Sequence, residues 1–253
     1  MNTQTAQHVL RRSDYDAVIF DLDGVITQTA TLHKLAWKAL FDDFLESYGS
    51  RHGETQPSFD ADSDYRRYID GKARYDGVAS FLASRSIELP YGDPSDGPEL
   101  ETVCGLGNKK NELYRELLAR LGVEVYPSTV DLIHALRAKT FATAVVSASR
   151  NCAEVLEAAG LTNLFDTRVD GIDLERMQLR GKPEPDSFLE AARRIGVEPA
   201  RAVVVEDAIA GVEAGRKGGF GCVIGVDRTG HAEALKAAGA DLVVTDLVEL
   251  SAD

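Results

Sequence analysis

Ala17-Val18-Ile19-Phe20-Asp21-Leu22-Asp23-Gly24-Val25 joins a short apolar run to two carboxylates and a glycine. A run this apolar reads as a strand buried on both faces, the kind found in parallel sheets. The carboxylates then stand where that strand ends, and the carboxyl edge of a parallel sheet is where such folds take their ligands. Residues two apart along a strand share a face, and a following glycine lets the chain turn sharply. In that geometry one carboxylate can attack while the other moves protons. Taken alone, the segment reads equally well as a polar strand end leading into a turn.

Working outward, similar runs recur at Ala142 to Val146, Ala202 to Val205, Cys222 to Val226 and Leu242 to Val244. Between them lie helical patterns that stop at glycine: Ala153 to Ala159 before Gly160, Ser187 to Ile195 before Gly196, and Ile209 to Lys217 before Gly218. This alternation predicts an α/β fold, a doubly wound parallel sheet with a Rossmann-like core. The stretch from Thr29 to Val123 breaks it. Leu32, Leu35, Ala36, Ala39, Leu40 and Phe44 follow helical spacing, Val78 to Leu82 and Leu113 to Leu121 do likewise, and Pro90 to Pro98 reads as a surface loop. The expected organisation is a catalytic core from residues 14–28 and 124–253 with an inserted helical cap at 29–123, the tail before Asp14 being frayed.

The chain has 253 residues, 44% of them hydrophobic, enough for one large core with a smaller accessory domain. A formal charge of -13, from 28 basic and 41 acidic residues, disfavours nucleic acid and membrane partners. It leaves room for a small anionic substrate, because a metal or a few cations can invert the field in one cleft. Cys104, Cys152 and Cys222 form no CxxC pair, so neither a disulfide framework nor a zinc site is indicated. With no apolar stretch of signal-peptide or membrane-span type, a cytoplasmic protein is expected, a monomer or weak homo-oligomer.

Three further segments carry candidate chemistry. In Ser147-Ala148-Ser149-Arg150-Asn151, a hydroxyl at a strand end is followed by helix N-terminal amides and an arginine, a combination suited to phosphate. Asn151 and Glu154 also have the spacing of a capping box. Lys182 lies between Gly181 and Pro183, with Pro185 following, so its loop is stiffened and its direction fixed. Glu206 and Asp207 end another apolar run. These carboxylates would repel Asp21 and Asp23 unless a hard divalent cation, Mg²⁺, lay among them.

Four successive strand ends are thus expected to supply Asp21 with Asp23, Ser147, Lys182, and Glu206 with Asp207. In motif order, in the Lys-Pro-x-Pro context and in the helical insertion after the first motif, the chain resembles the haloacid dehalogenase-like superfamily over nearly its whole length beyond Asp14. Within it, Phe20 to Thr27, Thr29-Ala30 leading to His33 and Trp37, and Ser147 to Asn151 resemble the β-phosphoglucomutase group. That resemblance implies phosphorylation of Asp21, general acid/base work by Asp23, and Mg²⁺ held by Asp21, the Asp23 carbonyl, Glu206 and Asp207. Ser147 and Lys182 would bind the transferring phosphate. Gly71-Lys72-Ala73-Arg74 resembles the group's cap loop, with Arg74 joining Ser149, Arg150 and Asn151 around the second phosphate of a sugar bisphosphate. The sequence departs from the group at Asp70, where lysine is usual, at Gln28 for aspartate, and at Ala208 for serine.

His33 and Trp37 are one helical turn apart on a cap helix; Trp37 reads as core packing and His33 as a secondary site candidate. Gly105-Leu106-Gly107 has a superficial likeness to a dinucleotide loop, but Lys110 replaces the third glycine. The expected function is phosphotransfer on a sugar phosphate, β-glucose 1-phosphate to glucose 6-phosphate through the 1,6-bisphosphate. A sugar phosphatase of the same fold is the alternative, differing in whether water or sugar receives the group. A phosphoacceptor signalling module shares the acid cluster, hydroxyl and lysine, yet needs neither a lid nor the proton-transferring Asp23.

Overall fold

The computed structural model describes residues 8–253. The chain divides into two units, one of Met1–Gln28 with Val123–Asp253 and the other of Thr29–Gly122. In the first, β2 (Ala17–Asp21), β3 (Ala142–Val146), β4 (Thr167–Val169), β5 (Ala202–Glu206), β6 (Cys222–Val226) and β7 (Leu242–Val244) form one parallel sheet in the order β4-β3-β2-β5-β6-β7. Every residue of the central strand β2 is buried, as a parallel strand covered on both faces requires. Register decides what meets at the sheet's edge. Asp21 lies beside Val146, and Phe20 beside Val205, so the ends of β2, β3 and β5 bring Asp21, Ser147 and Glu206 to one level.

Helices α4 (Pro127–Ala138), α5 (Cys152–Ala158), α6 (Gly171–Met177), α7 (Asp186–Ile195), α8 (Ile209–Lys217) and α9 (Ala232–Ala238) belong to this unit. One face of the sheet packs Ile19, Val146 and Val204 with Phe188 and Val212. The frayed tail expected before Asp14 is corrected in part: β1 (His8–Leu10) pairs in parallel with β8 (Leu250–Ala252), and residues 1–7 lie outside the described residues. Three backbone-paired residues and a buried Leu10 hold the strand, a long-range pairing that no local pattern announces.

The second unit is built from α1 (Thr29–His52), α2 (Arg74–Ser84) and α3 (Val103–Leu121), with a short π-helical turn at Tyr65–Ile69. Its core is aromatic. Phe41 is fully buried, with ring centroids 4.1 Å from Phe81 and 5.3 Å from both Trp37 and Phe59; truncating such a ring to alanine costs about 3–5 kcal/mol. Trp37 is therefore core, as its spacing suggested. Gly105 and Gly107 fall inside the first turns of α3, not before it. A Cβ on Gly105 would strike the Leu100 carbonyl, and one on Gly107 would lie 2.6 Å from the Tyr75 ring. The two glycines admit close neighbours, which accounts for the motif without a dinucleotide. Among the described residues, no helix is long and apolar enough to cross a membrane, and all three cysteines are free.

Candidate active site

Lys182 organises the core site. Its side chain is 2% exposed, and its Nζ donates short hydrogen bonds to Asp21 Oδ1 and Glu206 Oε1. An ammonium out of water is tolerable only when paired and hydrogen-bonded in this way. Burial alone would lower its pKa, but the two carboxylates outweigh that and raise it above the ordinary lysine value. Burial pushes the Asp21 carboxyl well above the usual carboxylate range; Lys182 opposes the rise, and Glu206 and Asp23 add to it. The remaining Glu206 oxygen accepts from the Ala208 amide at 2.6 Å, a backbone bond that the alanine side chain at 208 leaves unaffected.

Lys182 does not come from a strand end. It sits in the loop between α6 and α7, because the segment after β3 forms only the three-residue β4 and then α6, capped by Asp170. Asp23 likewise lies past the end of β2, so strand alternation does not orient it. The turn does: Gly24 has φ +90, which glycine adopts readily, and a Cβ there would collide with the Asp207 carboxylate. Asp207 is thereby held against the Asp21–Gly24 turn.

Ser147 is 1% exposed, and its Oγ donates to Asp23 Oδ2 at 3.1 Å. The Ser149 amide donates to Ser147 Oγ, and the Asn151 amide to Ser149 Oγ, each at 3.1 Å. These hydroxyls organise the turn after β3, and the capping box expected from Asn151 and Glu154 is absent. Asn151 has φ -92 and ψ 8 instead of the extended backbone of a capping residue, and its side chain makes no capping bond. The Arg150 guanidinium is paired with Glu175.

In the cap unit, Gly71 takes φ +74 in the turn before α2. Arg74 Nη2 donates to Tyr75 Oη at 3.3 Å, its guanidinium lies 5.0 Å from that ring's centroid, and its buried Nε has no hydrogen-bond partner among the described residues. The Asp70 amide donates to the Tyr65 carbonyl, and Lys72 Nζ donates to Ser80 Oγ at 2.8 Å. His33 is stacked on Tyr114 at 4.1 Å, and its Nδ1 lies 2.6 Å from Lys110 Nζ, from which it must accept. Lys110 is 4% exposed and lies 5.0 Å from the Trp37 ring and 4.8 Å from that of Tyr114. Sequence reading met Lys110 only as a missing glycine; its i,i+4 spacing to Tyr114 was the available signal.

A family model for haloacid dehalogenase-like hydrolases matches residues 15–219. The β-phosphoglucomutase of Mycobacterium bovis is 49% identical over 237 residues, covering 92% of this chain and 90% of the relative. The β-phosphoglucomutase of Bacillus subtilis is 32% identical over 236 residues, covering 93% and 91%. The crystal structure of the Clostridium difficile β-phosphoglucomutase superposes with a TM-score of 0.73 at 26% identity, covering 93% of this chain and 92% of that one. The protein is an enzyme, and it belongs to the haloacid dehalogenase-like hydrolase family.

Proposed function

We propose that this enzyme is a β-phosphoglucomutase, converting β-glucose 1-phosphate to glucose 6-phosphate through phospho-Asp21. The observation that carries the reading is the buried Asp21–Lys182–Glu206 bridge with a second acid, Asp23, held by Ser147 in the following turn. Similarity to the two mutases supports the choice of substrate.

Phospho-Asp21 gives its phosphoryl group to the sugar O6 while Asp23 takes the hydroxyl proton. The bisphosphate turns over, and Asp21 attacks the phosphorus on O1. The P–O1 bond breaks, Asp23 returns the proton to the departing oxygen, and glucose 6-phosphate leaves phospho-Asp21 behind. Lys182 fixes the Asp21 carboxylate and, with Ser147, binds the moving phosphoryl oxygens. Ser149, Arg150 and Asn151 from the core and Gly71, Arg74 and His33 from the cap are assigned to substrate binding.

Mg²⁺ is the proposed cofactor, with Asp21, the Asp23 carbonyl, Glu206 and Asp207 as its protein ligands. The donors are hard oxygens, though among the described residues no group of three or more His, Cys, Asp or Glu side chains is drawn together as a ready-made metal site. An open carboxylate set fits Mg²⁺, which keeps several waters and shares its coordination with substrate phosphate. When bound, the ion neutralises charge on the transferring group.

The test is a panel of sugar phosphates assayed for both isomerisation and phosphate release, with and without a trace of glucose 1,6-bisphosphate. Primed conversion of β-glucose 1-phosphate exceeding its hydrolysis is expected. Phosphate release without isomerisation under any priming condition makes the enzyme a sugar phosphatase.

A further inference from the structure

The loop after β6 touches the backbone of both acid-bearing turns. His231 Nε2 lies 3.2 Å from the Asp207 carbonyl, and Arg228 Nε donates to the Gly24 carbonyl at 3.4 Å. A carbonyl only accepts, so Nε2 carries a proton. Both side chains are largely covered, Arg228 at 14% and His231 at 11% exposure.

These contacts are anchored away from the acids. The Arg228 guanidinium lies 3.8 Å over the Tyr126 ring, and its Nη1 donates to the Thr245 carbonyl at 3.2 Å and to Asp246 Oδ2 at 2.9 Å. Asp246 is itself fixed by the Val248 amide at 2.8 Å. The backbone of His231 is fixed by Asp227, whose Oδ1 accepts from the amides of Thr229, Gly230 and His231 at 3.1, 2.7 and 2.9 Å and whose Oδ2 accepts from Ala232 at 3.0 Å. The His231 Nδ1 lies 2.8 Å from Thr229 Oγ1, which sets the ring's rotation. Constraint therefore runs from Tyr126, Asp227 and Asp246 through two side chains to the Gly24 and Asp207 carbonyls.

We propose that Arg228 and His231 are positioning residues for the cation site, holding the Asp21–Gly24 turn and the Glu206–Asp207 turn at the spacing that divalent-metal binding needs. The proposal rests on the assignment of Mg²⁺ to these acids. Lys182 bridges two of the four carboxylates in the cleft, and the like charge that remains still pushes the two turns apart. A brace on the carbonyls resists this while leaving the carboxylate oxygens available to the ion.

The experiment measures Mn²⁺ binding to the metal-free full-length protein by electron paramagnetic resonance, for wild type, His231→Ala, His231→Gln and Arg228→Lys, each first shown to be folded by circular dichroism. Loss of an outer partner typically weakens metal affinity by about 10- to 100-fold, and about 10-fold is expected for His231→Ala. His231→Gln, whose amide N–H₂ reaches the place of Nε2, should recover most of it. Arg228→Lys keeps the charge but loses the stack on Tyr126 and the planar fork, and should also weaken binding; it carries the test if His231→Ala does not fold. Wild-type affinity in both His231→Ala and Arg228→Lys overturns the brace while leaving the metal site standing. Equal losses in His231→Ala and His231→Gln overturn the role of the histidine hydrogen bond. Absence of Mn²⁺ binding in wild type overturns the metal assignment and the brace with it.

Discussion

The core and the cap each bury a lysine, and they satisfy it differently. Lys182 in the core sits between two carboxylates, whereas Lys110 in the cap meets an imidazole and the faces of Trp37 and Tyr114. The core arrangement follows from strand register, which brings Asp21, Ser147 and Glu206 to one edge and leaves an excess of anions there. The cap arrangement follows from helical spacing, which stacks His33 and Trp37 on α1 and Lys110 and Tyr114 on α3. Anions gathered at one edge suit a site for a metal and a transferring phosphoryl group; a cation among rings holds two helices of the cap together.

The largest effect should come from the core. Asp21→Asn keeps the shape of the side chain but cannot form an acyl phosphate, so turnover should fall to background while the melting temperature stays near wild type. Chelation of divalent metal should do the same reversibly. Substantial turnover in either case breaks the assignment of chemistry to this cluster.

Next comes the contrast between the two lysines. Lys182→Met strands two buried carboxylates, and breaking such a pair costs about 3–5 kcal/mol. Lys110→Met removes the charged donor to His33 Nδ1, and a hydrogen bond of that kind is worth about 1.5–3 kcal/mol. Denaturant unfolding of both variants measures the difference, and equal losses would erase the distinction between core and cap.

A smaller and more selective effect is expected from Arg74→Ala. If Arg74 holds the phosphate that is not being transferred, its loss should weaken that grip by about 1.5–3 kcal/mol. Isomerisation of β-glucose 1-phosphate should then fall far more than hydrolysis of a small aryl phosphate, measured on the same preparation with bisphosphate primer. Parallel losses would remove Arg74 from substrate binding.

The smallest effect concerns acid stability. The Glu190 carboxyl on α7 is held down to about 2 by Arg193 and Arg194. A depressed carboxyl stabilises the fold fully above its unfolded value, near 4.5, and that contribution disappears as pH falls through about 2. Arg193 is 69% exposed, so solvent screens the pair and about 1 kcal/mol or less is at stake. Glu190→Gln should destabilise the core slightly at neutral pH and hardly at all at pH 2, as thermal melts at the two pH values will show.

Most of the sheet was legible because β2, β3, β5, β6 and β7 are apolar runs bounded by turn residues, and the helices after β3 and β5 end at or just before glycines. β1, β4 and β8 were missed: β7 is as short but wholly apolar, whereas these three each carry a polar residue and exist through pairing with other segments. Among the site residues, Asp21, Ser147 and Glu206 followed from their strand ends. The bridge made by Lys182 was not legible, since a loop lysine's target depends on tertiary placement. The same holds for His33 with Lys110, separated by 77 residues, and for Arg228 and His231, whose segment has the look of an ordinary polar turn.

Every step of the proposed reaction passes phosphate through Asp21. Its most direct test is to mix the enzyme and Mg²⁺ with glucose 1,6-bisphosphate, quench in acid at successive times, and map phosphate on peptides by mass spectrometry. Phosphate should appear on Asp21 at least as fast as the enzyme turns over, and isotope-labelled phosphate on Asp21 should pass into sugar when unlabelled β-glucose 1-phosphate is added. Turnover with no phosphate on Asp21, or with phosphate forming there more slowly than product, would contradict it.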